Sequence, residues 1–553
     1  LGPAGRSITI AVKKQIEALG LPGIDFIESS KRYYPMSSFA SYIIGYAQVA
    51  DDNVMTGRMG IEAYFDDELQ GIDGYTIYQK DAYGYTMPNT LTITEPAQAG
   101  KDVYLTIDSK IQLFVENGIK EIKKDNKMDW VTFSVLDAKS GAVVASSSDM
   151  NFNLNTKDDI QSYLNPLTTY TYEPGSTMKI YSFLASMENG KYKGDNKYKS
   201  GTIKVDDAVI KDFNGVGWGT ITFDRGFSYS SNVAATKLAL NLGREKLYNY
   251  YSSLGFGKKT GITLPNEAKG DIDFTTTPIQ NLQALTILTN DGIELQPYIV
   301  EKIIDSKTGE TSYKHERTEL GRKASSENVK KMLSMMHNVV YSGLTDAKFY
   351  KADNVTLIGK TGTAEIVGSK GYMDGSYDYI RSFAGIFPYE DPQYIIYISV
   401  KRYDGKYRDF AGMVKKVVEE IAKYKNITEL TEEIDENKII TLNNFVSTEI
   451  TSSEEQLKKL GLNPIVLGSG KYIIKQYPVK GTTILSGNKV FLVTNDEKYK
   501  MPNIIGWSSN EVSTLCKLLN INLKENGYGS VKTQSIAANA DVKSGMTLEV
   551  TLG

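Results

Sequence analysis

The chain has 553 residues, of which 41% are hydrophobic and 23% are charged, and its formal net charge is −3. This length predicts several domains rather than one core, and the slight negative charge argues against a nucleic-acid-binding protein, which is usually basic. A single cysteine, Cys516, excludes an intrachain disulfide and a cysteine-based zinc site.

Only two histidines, His315 and His337, occur, and neither lies in an H-E-x-x-H motif. A hydrolytic or acyl-transfer site must therefore take its base from a carboxylate pair or from a serine–lysine arrangement. No run of about 18 apolar residues predicts a membrane span. Leu1–Arg6 do not resemble a signal peptide, so we expect an export signal to be lacking or lost by truncation.

Residues 1–100 are rich in glycine and tyrosine and predict an irregular, extended platform, with a helix near Ile8–Leu19 and a strand at Tyr75–Tyr78. The next block has strands at both ends and helices between them, which predicts an α+β domain of about 320 residues. Its predicted strands are Asp102–Ile107, Thr132–Leu136, Ala142–Ser146, Val355–Ile358, Arg381–Phe387 and Tyr394–Val400. Its predicted helices are Lys110–Lys123, Ser176–Met187, Val233–Leu242, Ser326–Val340 and Ala411–Tyr424.

The C-terminal part begins with an acidic stretch, Glu429–Asn437, that predicts a linker. An internal repeat follows, in which the helix, Gln476 and the strand Val490–Thr494 of the first copy match the helix, Gln534 and the strand Leu548–Thr551 of the second. A domain of about 55 residues is marginal alone. We therefore expect the two copies to pack together or onto the main body.

The segment Ser176-Thr177-Met178-Lys179 opens a predicted helix after Pro174-Gly175. The i, i+3 spacing places Ser176 and Lys179 on one face, one turn apart, with the hydroxyl at the positive end of the helix dipole. Lys179 is then close enough to take the serine proton. The S-x-x-K pattern alone is weak, because it recurs at Ser486–Lys489, where we interpret it as structural.

Two further short motifs follow in order along the chain. Ser230-Ser231-Asn232 precedes a helix, and Lys360-Thr361-Gly362-Thr363 follows the predicted strand Val355–Ile358, whose small neighbours predict an edge strand beside which a peptide can lie. Taken singly, a structural interpretation is favoured for each motif, because each recurs elsewhere. The other copies are Ser326–Asn328 and Ser508–Asn510, interpreted as helix N-caps, and Lys259–Gly261 and Lys307–Gly309, the last in a hairpin turn.

S-x-x-K, S-D-N and K-T-G are the signature of penicillin-binding proteins and class A β-lactamases. Here the three motifs occur in order with S-S-N as the middle one, and the chain resembles a class B penicillin-binding protein over nearly its whole length. The likeness is closest to the division-specific, PASTA-bearing transpeptidases of Gram-positive bacteria. The segments that carry it are Tyr172–Lys179, with Met178 where Phe is usual; Gly217-Trp218-Gly219 with Tyr229–Val233; Gly359–Glu365 with Ser382–Gly385; Arg32–Pro35, Gly45-Tyr46 and Gly60–Glu62 of a pedestal; and the C-terminal, PASTA-like repeats.

The resemblance implies an α+β multidomain fold. Its parts are a pedestal (dimerisation-like) domain at 1–100, truncated at the N-terminus; a penicillin-binding/β-lactamase-like transpeptidase domain, an antiparallel sheet flanked by helices, at 101–428; a linker at 429–437; and two small α/β PASTA repeats at 438–496 and 497–553. The sequence departs from the family in a short loop between Glu267 and Thr277. The family's cytoplasmic tail, membrane anchor and first pedestal strand are also missing before Leu1.

Residue by residue, the resemblance implies that Ser176 is the nucleophile and Lys179 its base, lowered in pKa by burial and by the charge of Lys360. Asn232 would bond Lys179 and a substrate amide, and Ser230 would relay a proton to the departing amine. The implied substrate contacts come from Thr361, Gly362, Thr363, Ser231 and Trp218, with Lys360, Thr361 and Thr363 receiving the terminal carboxylate. Backbone N–H groups of Ser176 and Thr363 would form the oxyanion hole, and no metal or other cofactor is implied.

The implied activity is cross-linking of peptidoglycan stem peptides that end in D-Ala-D-Ala, through an acyl-enzyme that β-lactams also form. The implied location is the outer face of the membrane at the septum, held by one anchoring span, with a membrane glycosyltransferase and other division proteins as partners and no nucleic acid. Two alternatives stay open: a β-lactamase or D,D-carboxypeptidase, and a scaffold or β-lactam sensor with a weak site. The repeats could serve wall recognition or dock on the catalytic domain.

Overall fold

A computed structural model describes residues 8–26, 31–50, 54–85, 87–88, 92–272, 275–368, 371–373, 375–427, 439–485, 488–496, 498–507, 509–527 and 531–552. The chain divides into two compact units, Leu1–Ile421 and Ala422–Gly553. The predicted linker 429–437 lies outside the described residues, as do Ser486 and Ser508 of two recurring motifs. In the described part of the chain, no helix is both long and apolar enough to cross a bilayer.

An antiparallel sheet, here called the central sheet, organises the first unit. Within the described residues it has five strands, in the spatial order Ile358–Glu365, Tyr379–Phe387, Tyr394–Lys401, Trp130–Asp137 and Val143–Ser148. The strand Tyr394–Lys401 is buried along almost its whole length because both of its faces are covered. The predicted hairpin around the turn Asp137–Gly141 is confirmed by the pairing of the last two strands.

One predicted strand is wrong. Residues 355–357 are not extended into the sheet, and the strand instead runs from Ile358 to Glu365, so that the K-T-G motif lies inside it. A Cβ at position 359 would come within 2.4 Å of the Phe383 ring on the neighbouring strand. The absence of a side chain at Gly359 therefore allows the two strands to pair closely. The strand is at the edge of the central sheet, as predicted.

The helix Pro278–Thr289 was not predicted, although it lies in the core. All of its residues are buried, including the polar Gln280, Asn281 and Gln283, so its polar positions do not mark a solvent-facing side as they do in a surface helix. Its start is nevertheless marked locally by a capping box between Thr277 and Gln280, with Pro278 in the first turn. A helix whose polar residues are all buried is recognisable only once its surroundings are known.

The remaining elements of the first unit surround the central sheet. The helices are Ile10–Glu17, Ser41–Ile44, Gly60–Tyr64, Asp66–Gln70, Ser109–Asp125, Pro166–Thr169, Lys179–Glu188, Phe223–Ser228, Asn232–Leu242, Arg244–Ser253, Ser326–Tyr341 and Tyr407–Lys425, with 3₁₀ turns at Gly175–Met178 and Asp346–Tyr350. The smaller paired strands are Ala47–Val49, Met55–Gly57, Tyr75–Ile77, Ile93–Glu95, Lys101–Leu105, Lys197–Lys199, Thr202–Val205, Ala208–Lys211, Thr220–Thr222, Ile293–Leu295, Val300–Asp305, Thr311–Lys314, Glu319–Arg322, Val367–Gly368 and Gly371–Tyr372.

The pedestal segments that carry the resemblance are joined to each other and to the main domain. Arg32 Nε donates to Glu62 Oε1 over 2.6 Å, and the Tyr34 hydroxyl accepts from the Ala47 amide. Tyr42 packs edge-on against Phe152, which belongs to the segment leading towards the S-x-x-K motif. The pedestal is therefore packed onto the domain that carries the motifs.

The second unit consists of the two repeats, and these pack together. Its helices are Ile450–Lys459 and Ser509–Leu519, and its strands are Ile439–Thr441, Asn463–Leu467, Ile473–Tyr477, Thr483–Leu485, Lys489–Thr494, Tyr499–Lys500, Asn522–Gly527, Val531–Gln534, Asp541–Val542 and Thr547–Leu552. Gln476 accepts a hydrogen bond from the Phe445 amide, and Gln534 accepts one from the Ile504 amide. The glutamine that was predicted to repeat therefore makes the equivalent hydrogen bond in each copy. Phe491 of the first copy meets Trp507 edge-on in a shared core.

A substitution at Gly118 tests the packing between two helices of the first unit. A Cβ at Gly118, in the helix Ser109–Asp125, would lie 2.7 Å from Val417 Cγ2 of the helix Tyr407–Lys425. We expect Gly118→Ala to lower the free energy of unfolding by about 1–3 kcal/mol through overpacking. Gly412→Ala, on the facing helix where a Cβ meets nothing within 4 Å, should be neutral or stabilise by up to about 1 kcal/mol. Thermal unfolding of both variants distinguishes them, and equal melting temperatures would contradict the packing described.

Candidate active site

The S-x-x-K segment forms a 3₁₀ turn, Gly175–Met178, that continues into the helix Lys179–Glu188. The expected α-helix from Ser176 is thus corrected at its first turn, where the tighter winding still leaves Ser176 at the amino end. The Lys179 Nζ lies 2.9 Å from the Ser176 Oγ. The predicted contact between these two side chains is therefore present.

Two glycines allow the serine turn to lie directly against the K-T-G strand. Gly175 has a φ of +60°, and a Cβ there would be 2.7 Å from the Thr363 carbonyl oxygen. A Cβ at Gly362 would be 2.8 Å from the Pro174 carbonyl oxygen. Any larger side chain at either position would push the serine turn away from the edge strand.

The Lys179 side chain is enclosed by oxygen atoms. Its Nζ lies 2.6 Å from the Ser230 carbonyl, 2.6 Å from Asn232 Oδ1 and 3.4 Å from Ser230 Oγ. Ser230 has a left-handed φ of 59°, a strained conformation of the kind found at functional sites. Burial lowers the pKa of Lys179 to about 7, against the opposing charge of Asp212. A substantial fraction of this lysine is therefore uncharged near neutral pH.

The Lys360 side chain reaches the same serine from the edge strand. It is fully buried, and its Nζ donates to Ser230 Oγ over 2.8 Å and to the Thr361 carbonyl over 2.9 Å. Burial first, and the charge of Lys179 second, hold the pKa of Lys360 well below its usual value. We expected both burial and the charge of Lys360 to lower the pKa of Lys179. In the structure, burial accounts for the lowered pKa of Lys179, and the repulsion between the two lysines lowers the pKa of Lys360 instead.

Asp212 supports the S-x-N motif and was missed in the sequence. Its carboxylate is buried and accepts from Ser231 Oγ at 2.7 Å, from the Val233 amide at 3.0 Å and from the Gly201 amide at 2.8 Å. In the sequence Asp212 precedes Phe213-Asn214-Gly215, so it resembles an ordinary turn residue. Only its burial distinguishes it.

The expected substrate contact of Ser231 is not supported. This side chain is fully buried, bonds Asp212, and accepts from the Ala234 amide as the N-cap of the helix Asn232–Leu242. Alternate residues at a helix start point in different directions, so Asn232 faces Lys179 while Ser231 faces the interior. Ser231 therefore holds the motif in place rather than lining a cleft.

The other predicted residues lie along the same region. Thr363 is exposed and Thr361 half-buried on the edge strand. Trp218 stacks on Tyr229, the residue before the S-x-N motif, with ring centroids 4.5 Å apart. The oxyanion role of the Ser176 and Thr363 amides stays a prediction.

The chain matches the penicillin binding protein transpeptidase domain over residues 131–423, the penicillin-binding protein dimerisation domain over 6–105, and the PASTA domain over 440–496 and 499–553. The chain belongs to the penicillin-binding protein transpeptidase family. It carries the dimerisation and PASTA domains together, as expected for a class B member. The resemblance stated from the motifs, and the α+β multidomain fold that it implied, are confirmed.

Individual relatives agree with this assignment. The chain is 32% identical over 531 residues to Stage V sporulation protein D of Bacillus subtilis, across 90% of this chain and 81% of that protein. It is 27% identical over 427 residues to the peptidoglycan D,D-transpeptidase FtsI of Escherichia coli, across 72% of this chain and 68% of that one. Its fold is similar to that of penicillin binding protein 2X from Streptococcus thermophilus, with a TM-score of 0.69, 27% identity, and 100% and 88% of the two chains covered.

The pH dependence of acylation tests Asp212. A lysine must be uncharged to act as the base expected of Lys179, so we expect the wild-type rate of acylation by a fluorescent penicillin to rise with pH through about 7 and then level off. Asp212→Asn removes a charge that raises the pKa of Lys179, so its rising limb should move to lower pH. The substitution also places an amide donor near the Gly201 amide, which should lower the melting temperature.

Asp206→Asn is the matched control, because Asp206 lies in the same hairpin region but is exposed and paired with Arg244. Its pH profile should equal that of the wild type. An unchanged profile for folded Asp212→Asn would show that Asp212 exerts no electrostatic effect on the base.

Proposed function

We propose that this protein is a serine-type peptidoglycan D,D-transpeptidase in which Ser176 attacks the D-Ala-D-Ala bond of a stem peptide. The observation that carries the proposal is the position of one buried lysine, Lys179, within 2.9 Å of the Ser176 hydroxyl and bonded to both Ser230 and Asn232. Membership of the transpeptidase family and the names of relatives support the substrate class.

In the first half-reaction, uncharged Lys179 takes the Ser176 proton while Oγ forms a bond to the carbonyl carbon of the penultimate D-Ala. The resulting oxyanion is held by the Ser176 and Thr363 amides. The C–N bond to the last D-Ala then breaks, and its amine receives the proton from Lys179. Ser230 Oγ, 3.4 Å from Lys179 and 2.8 Å from Lys360, is placed to relay that proton.

Substrate binding also sets the charges of the two lysines. Two ammonium groups on either side of Ser230 repel each other, and each is already disfavoured by burial. A carboxylate arriving at Lys360, Thr361 and Thr363 stabilises the charged form of Lys360. The charge on Lys360 then keeps Lys179 neutral, so that the base is activated when the correct substrate is bound.

The second half-reaction transfers the acyl group to an amine of a neighbouring stem, with the proton moving back through the same groups. In a β-lactam the broken C–N bond lies within a ring, so the leaving amine stays attached and blocks the acceptor. This accounts for a long-lived acyl-enzyme.

We further propose that the protein is anchored by one membrane span and acts at the septum beside a membrane glycosyltransferase and other division proteins. The sporulation and division relatives support a septal role. The PASTA repeats are proposed to serve the same enzyme, by wall recognition or by docking.

Intact-mass analysis after incubation with benzylpenicillin tests the nucleophile. We expect the wild type to gain one antibiotic mass that persists for hours, and Ser176→Ala to gain none because the attacking oxygen is gone. Ser182→Ala is the control, since its hydroxyl lies on the same helix but bonds Tyr251. An adduct on Ser176→Ala would place the nucleophile elsewhere, and rapid turnover of penicillin by the wild type would favour a hydrolase.

A further inference from the structure

Arg381 lies directly across from Thr363 in the central sheet. The strands Ile358–Glu365 and Tyr379–Phe387 pair in antiparallel register, with the Cα atoms of Thr363 and Arg381 as partners. Side chains of directly paired residues project from the same face of a sheet, with Cβ atoms about 5 Å apart. The Arg381 side chain therefore leaves the sheet on the face from which Thr363 also projects, one strand in from the edge.

The Arg381 guanidinium has no partner that would explain its position. Its Nη1 is buried and has no hydrogen-bond acceptor, and no carboxylate among the described residues forms an ion pair with it. Arg402, on the adjoining segment, differs from Arg381 because its guanidinium forms ion pairs with both Asp378 and Asp129, as expected for an arginine with a structural role. The Arg381 side chain is half-buried, so one of its donor nitrogens is out of water without an acceptor and no anion among the described residues offsets its charge, which costs free energy.

The groups around Arg381 cannot supply that anion. Its charge acts on the hydroxyls of Tyr350, Tyr403 and Tyr407, but burial keeps the pKa of all three raised, that of Tyr403 to about 12. All three tyrosines are therefore neutral at physiological pH. The carboxylates of Asp346, Asp404 and Asp409 also act on these tyrosines, yet none pairs with Arg381. No carboxylate and no ionised tyrosine among the described residues therefore neutralises the charge of Arg381.

We propose that Arg381 is a further substrate-binding residue, which receives the terminal carboxylate of the donor stem peptide together with Thr361, Thr363 and Lys360. The inference rests on the proposed function and adds a second cation to its carboxylate site. Its physical basis is that a guanidinium presents parallel donors that match the two oxygens of a carboxylate, whereas an ammonium acts as a point charge. Arg381 selects donors that end in a free acid, and Lys360 remains coupled to the proton relay through Ser230.

The test compares two donors that differ only at the recognised group, a depsipeptide or peptide donor with a C-terminal carboxylate and the same donor as its C-terminal amide. For the wild type, release of the C-terminal residue should be faster from the acid. Arg381→Gln should lose about 10- to 100-fold in kcat/KM for the acid, the value of a charge-assisted hydrogen bond. For the amide it should stay within about twofold of the wild type, since no such bond is lost there.

Two further variants keep the test sharp. Arg381→Lys retains the charge without the paired donors, so its kcat/KM for the acid donor should lie between the values for the wild type and Arg381→Gln. This variant also provides the test if Arg381→Gln does not fold. Arg244→Gln is the matched control, because Arg244 is an exposed arginine paired with Asp206. It should leave the preference for the acid unchanged.

Equal losses on acid and amide donors in folded Arg381 variants, or no loss on either, would overturn the inference. These results differ from a failure of the proposed function. That failure would appear as a wild type that releases nothing from either donor, or as a Ser176→Ala variant that still does, and the inference would fall with it.

Discussion

The site depends on the burial of two lysine side chains around one serine hydroxyl. Lys179 and Lys360 approach Ser230 from a helix and from a strand, and neither nitrogen is appreciably exposed to water. Burial of an amine costs free energy unless oxygen atoms accept its hydrogen bonds, and here Ser230, Asn232 and the Thr361 carbonyl do so. The same burial lowers both pKa values, and this fits the role of base that we propose for Lys179.

The rest of the domain can be understood as the support for this arrangement. The edge strand must lie against the serine turn, and Gly175 and Gly362 provide the space at the two points where backbone meets backbone. The S-x-N turn must hold a strained Ser230, and Asp212 fixes it by accepting from the next residue's hydroxyl and from two amides. Each support comes from a different part of the chain.

Charge links the proposed carboxylate site to Lys179, the proposed base. Burial favours the neutral form of Lys179 and lowers its pKa, and the charge of Asp212 opposes that lowering. An anionic substrate shifts that balance, because it can be shared by Lys360 and, by our inference, by the unneutralised Arg381. A donor that lacks the acid would then bind weakly and also leave the base less active.

The sequence by itself determined the three motifs, their order, the repeat and most helix and strand cores, because these depend on spacing within one turn or on alternation along one strand. It could not determine the place of the K-T-G strand, the buried helix Pro278–Thr289, the supporting roles of Asp212 and Ser231, or the unpaired Arg381. Each of these is defined by neighbours far away in the chain, such as the partner of Thr363 across the sheet. Hydrogen bonding and burial between distant segments exist only after folding, so only the tertiary structure decided which polar residues carry chemistry and which serve the scaffold.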